Sequence, residues 1–119
     1  MGLTTYELGN IGEGMAAEHL ETHRYKVLRR NYRCTGGEVD IVAEDADGTL
    51  VFVEVKTRRS DAYGSPAQAV GKAKLRRIRK AIEAYCAKEQ VPHDVQVRID
   101  IIAITFGLGA DIEHIEGVA

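Results

Sequence analysis

Seven residues in the middle of the chain, Leu50-Val51-Phe52-Val53-Glu54-Val55-Lys56, constrain the fold more than any other stretch. They are mostly β-branched or aromatic, so they predict a strand whose side chains alternate between two faces. Val51, Val53 and Val55 point one way, and Leu50, Phe52, Glu54 and Lys56 the other. Both faces begin apolar, which places the strand at the centre of a sheet covered on both sides. A carboxylate and an ammonium in such a strand are costly unless paired with each other or with a cation.

The rest of the chain supplies the cover. Residues 5–23 predict a helix, with Leu8, Ile11, Met15 and Leu20 on one stripe and Glu7, Glu18 and Glu21 off it. Tyr25 to Arg33, Glu38 to Glu44 and Thr49 to Thr57 predict strands. Residues 71–89 predict a second helix, with Leu75, Ile78, Ile82, Tyr85 and Cys86 together. Val95 to Phe106 predicts a long apolar strand, broken by Gly107 to Gly109, and the last ten residues predict a short edge strand. The expected class is α/β, a mixed sheet flanked by helices in a single domain over residues 1–119. At 119 residues, with 45% hydrophobic and 29% charged, the chain can bury a core. No apolar run nears the ~20 residues a membrane span needs. Met1 to Tyr6 has no basic stretch followed by an apolar one, so no leader is expected. Cys34 and Cys86 form no motif and read as free thiols of a reducing compartment, which makes the expected location cytoplasmic.

A second carboxylate comes from the hairpin. With a three-residue loop, Ala46-Asp47-Gly48, Gly48 takes the left-handed closing position. Val42 then faces Phe52, and Asp40 faces Glu54 with Cβ atoms about 5 Å apart. A two-residue Asp47-Gly48 turn would put the two carboxylates on opposite faces, and a bulge would change the count. The three-residue loop is preferred because it aligns both hydrophobic patterns. Two converging carboxylates repel unless a cation lies between them, and oxygen ligands select a hard ion, Mg²⁺ or Mn²⁺. Lys56 points into the same site, where it can orient or deprotonate a water or stabilise a charged transition state. This chemistry suits phosphodiester hydrolysis. The plainer alternative is a structural ion-pair cluster of Asp40, Glu54 and Lys56.

The formal net charge of −2 argues against a generic polyanion binder, but the charges are segregated. Arg24 to Arg33 holds five basic residues and no acid, and Lys56 to Lys80 holds nine with Asp61 the only acid. Arg58, Arg59, Lys72, Lys74, Arg76, Arg77 and Lys80 are therefore expected to bind nucleic acid through its phosphates, without base specificity. Arg29, Arg30 and Arg33 would widen the track. Tyr25, Tyr32 and Tyr63 are expected to pack, with base stacking as the alternative. The four histidines show no metal-ligand spacing. Asp100, in an apolar strand, is expected to make a buried polar contact with Arg98 or near Lys56.

The run Gly37-Glu38-Val39-Asp40-Ile41-Val42-Ala43, followed by Val51-Phe52-Val53-Glu54-Val55-Lys56-Thr57-Arg58, resembles the YraN family of bacterial proteins. Leu8-Gly9, Gly12-Glu13, Ala17, Arg30-Asn31-Tyr32-Arg33 and Val97-Arg98-Ile99-Asp100 extend the resemblance nearly end to end. It implies a restriction-endonuclease-like fold, related to archaeal Holliday-junction resolvases. The signature of that superfamily is an Asp, a variable gap, then Asp/Glu-x-Lys, with a Glu on the first helix. Those positions fall on Asp40, Glu54, Lys56 and Glu13, and Val39 replaces the proline of the nominal motif. Periodicity alone leaves Glu13 and Glu18 equivalent, so only the resemblance selects Glu13 as a metal ligand. It further implies that Gln68 reaches the site from the loop, a DNA substrate, branched or junction DNA included, and a homodimer as in the resolvases. The leading expectation is a Mg²⁺-dependent nuclease. The alternatives are a non-catalytic nucleic-acid-binding module on the same scaffold and an adaptor that binds a protein through the acidic tail.

Overall fold

The computed structural model describes residues 2–60 and 70–118. The expected places of Tyr63 and Gln68 lie outside the described residues. The elements run α1 (Thr5–Thr22), β1 (Lys26–Cys34), β2 (Gly37–Glu44), β3 (Leu50–Arg59), α2 (Lys72–Lys88), β4 (Val97–Phe106) and β5 (Ala110–Ile115). Helix α1 starts at a reciprocal cap: Thr4 Oγ1 accepts from Glu7 N–H, and Glu7 Oε1 accepts from Thr4 N–H.

The strands form one mixed sheet in the order β1-β2-β3-β4-β5. Only the β3–β4 pair is parallel, joined by the crossover that contains α2. Strand β4 begins at Val97 rather than Val95, because Val95 N–H closes a turn onto the Pro92 carbonyl. The observed architecture is the mixed α/β sheet flanked by helices that the residue pattern predicts.

The alternation along β3 sorts the core into two halves. Val51 and Val53 pack with Ile41, Ala43, Ile102 and Ile104 under Ala16, Ala17 and Leu20 of α1. Leu50 and Phe52 pack with Val39, Val42 and Ile99 under Ile78, Ala81 and Tyr85 of α2. Phe52 and Leu20 are fully buried, each contributing on the order of 1.5–3 kcal/mol by leaving water. The sheet is therefore covered on both faces, as the doubly apolar β3 requires.

Among the described residues, Glu54 and Asp100 are the buried charged side chains. Asp100 is held by Arg98, not by the Lys56 region. Its Oδ1 lies 2.8 Å from Arg98 Nε, and its Oδ2 lies 2.7 Å from His114 Nε2. Gly117 N–H donates to Oδ1 at 3.0 Å, which ties down the end of the chain. Burial opposes its charge, but the bonds from His114 and Arg98 outweigh that and hold its carboxyl below the ordinary range. The Tyr25 hydroxyl accepts from Arg98 Nη2 at 2.9 Å. His19 lies against both His23 and His114, so three of the four histidines come together although their spacing gave no sign of it.

Candidate active site

The hairpin loop is Ala46-Asp47-Gly48, with Gly48 at φ 86°. Asp45 Oδ1 accepts from Asp47 N–H at 2.8 Å and from Thr49 N–H at 2.9 Å, a local turn that sets the loop length. The register follows: Glu44 faces Leu50, Ala43 faces Val51, Val42 faces Phe52 and Ile41 faces Val53. There the β2–β3 pairing stops. Val55 N–H, which in continued register would reach Val39, donates to Asp40 Oδ2 at 2.8 Å.

The two strands thus part at Asp40, and the alternation of β2 slips there. Val39 and Val42 both belong to the α2 side of the core, with Ile41 on the α1 side. Strand β1 is irregular at the same level. Asn31 lies between the pairs Arg30–Ile41 and Tyr32–Val39, opposite Asp40, and has φ 54°. Asn tolerates this left-handed conformation better than most residues. Its side-chain amide favours the charged form of Glu13.

Glu54 stands next to this opening and is 3% exposed. Burial, and then the charge of Asp40, push its carboxyl up to about 7, while Lys74 and Lys56 pull it down. Lys56 Nζ lies 3.8 Å from Oε2, and Lys74 Nζ lies 3.4 Å from Oε1. Among the described residues, neither Lys74 nor any other group gives Oε1 an aligned hydrogen bond, and it is the buried side-chain oxygen left without one. Lys74 also reaches Glu38 Oε1 at 3.5 Å, and Arg77 Nη2 meets the same oxygen at 3.2 Å. Burial opposes the charge of Glu38, but Lys74 and Arg77 outweigh it and hold its carboxyl below the ordinary range.

Close helix packing brings these groups together. A Cβ on Gly37 would sit 2.6 Å from the Arg77 carbonyl and 2.7 Å from Lys80 Cβ, so only glycine lets α2 lie this near β2. On the other face, a Cβ on Gly12 would run into the Thr57 side chain, so α1 presses onto β3 one residue before Glu13. Glu13 is half-buried, and Glu18 is exposed. Burial raises the Glu13 carboxyl, the charge of Asp40 adds to this, and Asn31, Arg30 and Arg33 act against it. The packing places Glu13, and not Glu18, toward Asp40.

Asp40 and Glu54 make the close group, with Lys56 and Lys74 beside Glu54, and Glu13 feels the charge of Asp40 from α1. Among the described residues, no three His, Cys, Asp or Glu side chains are gathered tightly enough to hold an ion together. The donor chemistry nevertheless suits a hard divalent cation. It offers adjoining carboxylates, one of them buried with an oxygen that no hydrogen bond from the described residues satisfies.

The basic residues expected to line a nucleic acid divide into two sets. Lys72, Arg76 and Lys80 are exposed on α2. Lys74 and Arg77 are engaged with carboxylates, as above. Arg58 Nε donates to Thr105 Oγ1 at 3.3 Å, and Arg59 Nη2 donates to the Leu3 carbonyl at 3.1 Å, so both fasten the end of β3 to its neighbours. Arg29 pairs with Glu89 at 3.8 Å, and Tyr32 packs edge-on against Tyr85. Sequence reasoning missed Asn31 as a neighbour of the site and treated Lys74 as one phosphate contact among several. Asn31 did carry a signal, a turn-favouring residue inside a strand pattern.

Fold and site together define a mixed α/β fold in which buried Glu54 and half-buried Asp40 stand with two lysines where the central hairpin opens. The chain belongs to the uncharacterised protein family UPF0102, whose model matches residues 12–104. This is the family that the sequence resemblance indicated. A UPF0102 protein of Geobacter metallireducens is 52% identical over 116 residues, covering 97% of this chain and 93% of that protein. One from Mycolicibacterium smegmatis is 48% identical over 119 residues, covering 98% and 95%. A solved complex of EndoMS with dsDNA is similar to 92% of this chain at a TM-score of 0.49 and 21% identity, and the chain spans 40% of its length.

Proposed function

We propose that the protein is a divalent-metal-dependent endonuclease of the restriction-endonuclease-like type, which hydrolyses phosphodiester bonds in DNA, branched or junction DNA included. The observation that carries this reading is the meeting of buried Glu54 with Asp40 beside Lys56, where β2 and β3 part. Asp40 and Glu54 would hold Mg²⁺ or Mn²⁺, with Glu13 approaching from α1. Once bound, such an ion would acidify a water and polarise the phosphoryl oxygens. Lys56, about one-third exposed, would orient that water or neutralise charge building on the phosphoryl group.

The Asp40 carboxylate is locked by the Val55 N–H, so its orientation is set before any ligand arrives. The desolvated surroundings of Glu54 strengthen every charge interaction made there. Exposed Lys72, Arg76 and Lys80 would follow the phosphate backbone and read no bases, so selectivity would come from the shape of the DNA. We read the protein as cytoplasmic and, following the family resemblance, as a homodimer, which sedimentation equilibrium tests.

The function is tested with linear duplex, single-stranded, flapped and four-way-junction DNA, with Mg²⁺, Mn²⁺ or EDTA. The expected outcome is metal-dependent cleavage, abolished by Asp40→Ala and reduced about 100-fold or more by Lys56→Ala. Salt-sensitive binding without cleavage would support the binding module instead. Cleavage that survives both substitutions would belong to a contaminant.

A further inference from the structure

We propose that Lys74 is a resident counter-cation of Glu54, which an arriving divalent ion displaces onto Glu38. This rests on the metal-site reading above and concerns what fills the charge requirement of Glu54 before the ion binds.

The position of Lys74 distinguishes it from the other basic residues of α2. Its ammonium lies almost equally far from two carboxylates, 3.4 Å from Glu54 Oε1 and 3.5 Å from Glu38 Oε1. Its side chain is 25% exposed, against 50% for Arg77 one turn further on. The contact with Glu54 neutralises charge without satisfying it, because Oε1 has no aligned hydrogen bond. A permanent buried ion pair would be expected to complete that bond, since an unmet buried acceptor is destabilising.

Glu38 provides the alternative seat. Its side chain is 31% exposed and already faces Arg77, so it can take the ammonium without burying it further. Lysine suits such an exchange, because its compact ammonium has three equivalent donors on a flexible stem. The change is small: Lys74 keeps one carboxylate partner throughout, and Glu54 trades a single charge for a double one.

The test is a double-mutant cycle read by Mn²⁺ binding in calorimetry, on the whole protein without DNA. Lys74→Met removes the competitor and should tighten Mn²⁺ about five- to tenfold. Glu38→Gln removes the alternative seat and should weaken it about threefold or more. Because Glu38 acts through Lys74, the double variant should match Lys74→Met, with the Glu38→Gln effect gone. Lys74→Gln, which keeps a polar group there, replaces Lys74→Met if that variant fails to fold.

A Glu38→Gln effect of the same size in both backgrounds would overturn the proposal. The two residues would then act on the ion only through the general field, and the metal site would stand. Absence of Mn²⁺ binding to both the unsubstituted protein and the Lys74 variant, at millimolar Mn²⁺, would overturn the metal site and the exchange together.

Discussion

Asp40 Oδ2 accepts the backbone N–H of Val55 at 2.8 Å, so a side chain stands where the β2–β3 ladder would otherwise present the Val39 carbonyl. One bond thus terminates the pairing and orients a carboxylate of the candidate site. Structure and proposed chemistry are separable at this residue. Asp40→Asn retains an oxygen acceptor for Val55 and should stay within about 1 kcal/mol of the original stability, whereas Asp40→Ala leaves the N–H unmet and should lose about 1–3 kcal/mol. Urea unfolding measures both. Mn²⁺ binding and cleavage should be lost in either variant.

Glu54 makes stability depend on pH in a direction opposite to that of most carboxylates. Its folded pKa of about 7 lies above the ordinary 4.5, so between these values the folded protein binds more protons than the unfolded chain. Stability of the EDTA-treated protein should therefore fall as pH rises from 4.5 to 7, by up to about 3 kcal/mol. Glu54→Gln should flatten this slope, and denaturant titrations across the window measure it. Divalent binding requires the carboxylate, so Mn²⁺ affinity should rise over the same range.

Asp100 and Arg98 form a second buried charge system with no assigned part in the chemistry. Asp100→Asn should leave the Arg98 guanidinium undercompensated and lower stability by about 3–5 kcal/mol, with loosening of the chain near Gly117. Thermal unfolding and amide exchange at Gly117 and Val118 measure this. Mn²⁺ affinity of the folded fraction should be unchanged.

Two sets of basic residues should also separate by experiment. Arg76→Glu with Lys80→Glu should weaken binding to every DNA and lower the slope of log affinity against log salt by about 2, with little loss of stability. Arg59→Gln removes the bond to the Leu3 carbonyl and should lower stability by about 0.5–1.5 kcal/mol. Fluorescence anisotropy over a salt series, paired with urea unfolding, distinguishes them. Equal loss of affinity from both would assign Arg59 to the DNA surface as well.

Much of the hairpin was legible because its determinants are local. The valines of β3 alternate with Leu50 and Phe52, and Gly48 allows only certain loops, so the register Val42–Phe52 follows from residues within about ten positions of each other. The same register, extended, brings Asp40 toward Glu54. What escaped it was the slip at Asp40, because a side chain taking a backbone bond leaves the composition of a strand unchanged.

Local periodicity by itself determined the class of the fold, the two-sided burial of β3 and the neighbourhood of Asp40, Glu54 and Lys56. Periodicity left Glu13 and Glu18 equivalent and the family resemblance chose Glu13, while only the tertiary structure decided that Lys74 reaches Glu54 and that Arg58 and Arg59 fasten β3. The reason is physical. Alternation states which face of an element a residue occupies, but which charges meet depends on where two helices dock, and docking depends on distant contacts such as α2 against Gly37. Long basic side chains add to this: on a helical wheel all are alike, and only a carboxylate within reach separates an internal counter-ion from a solvated charge.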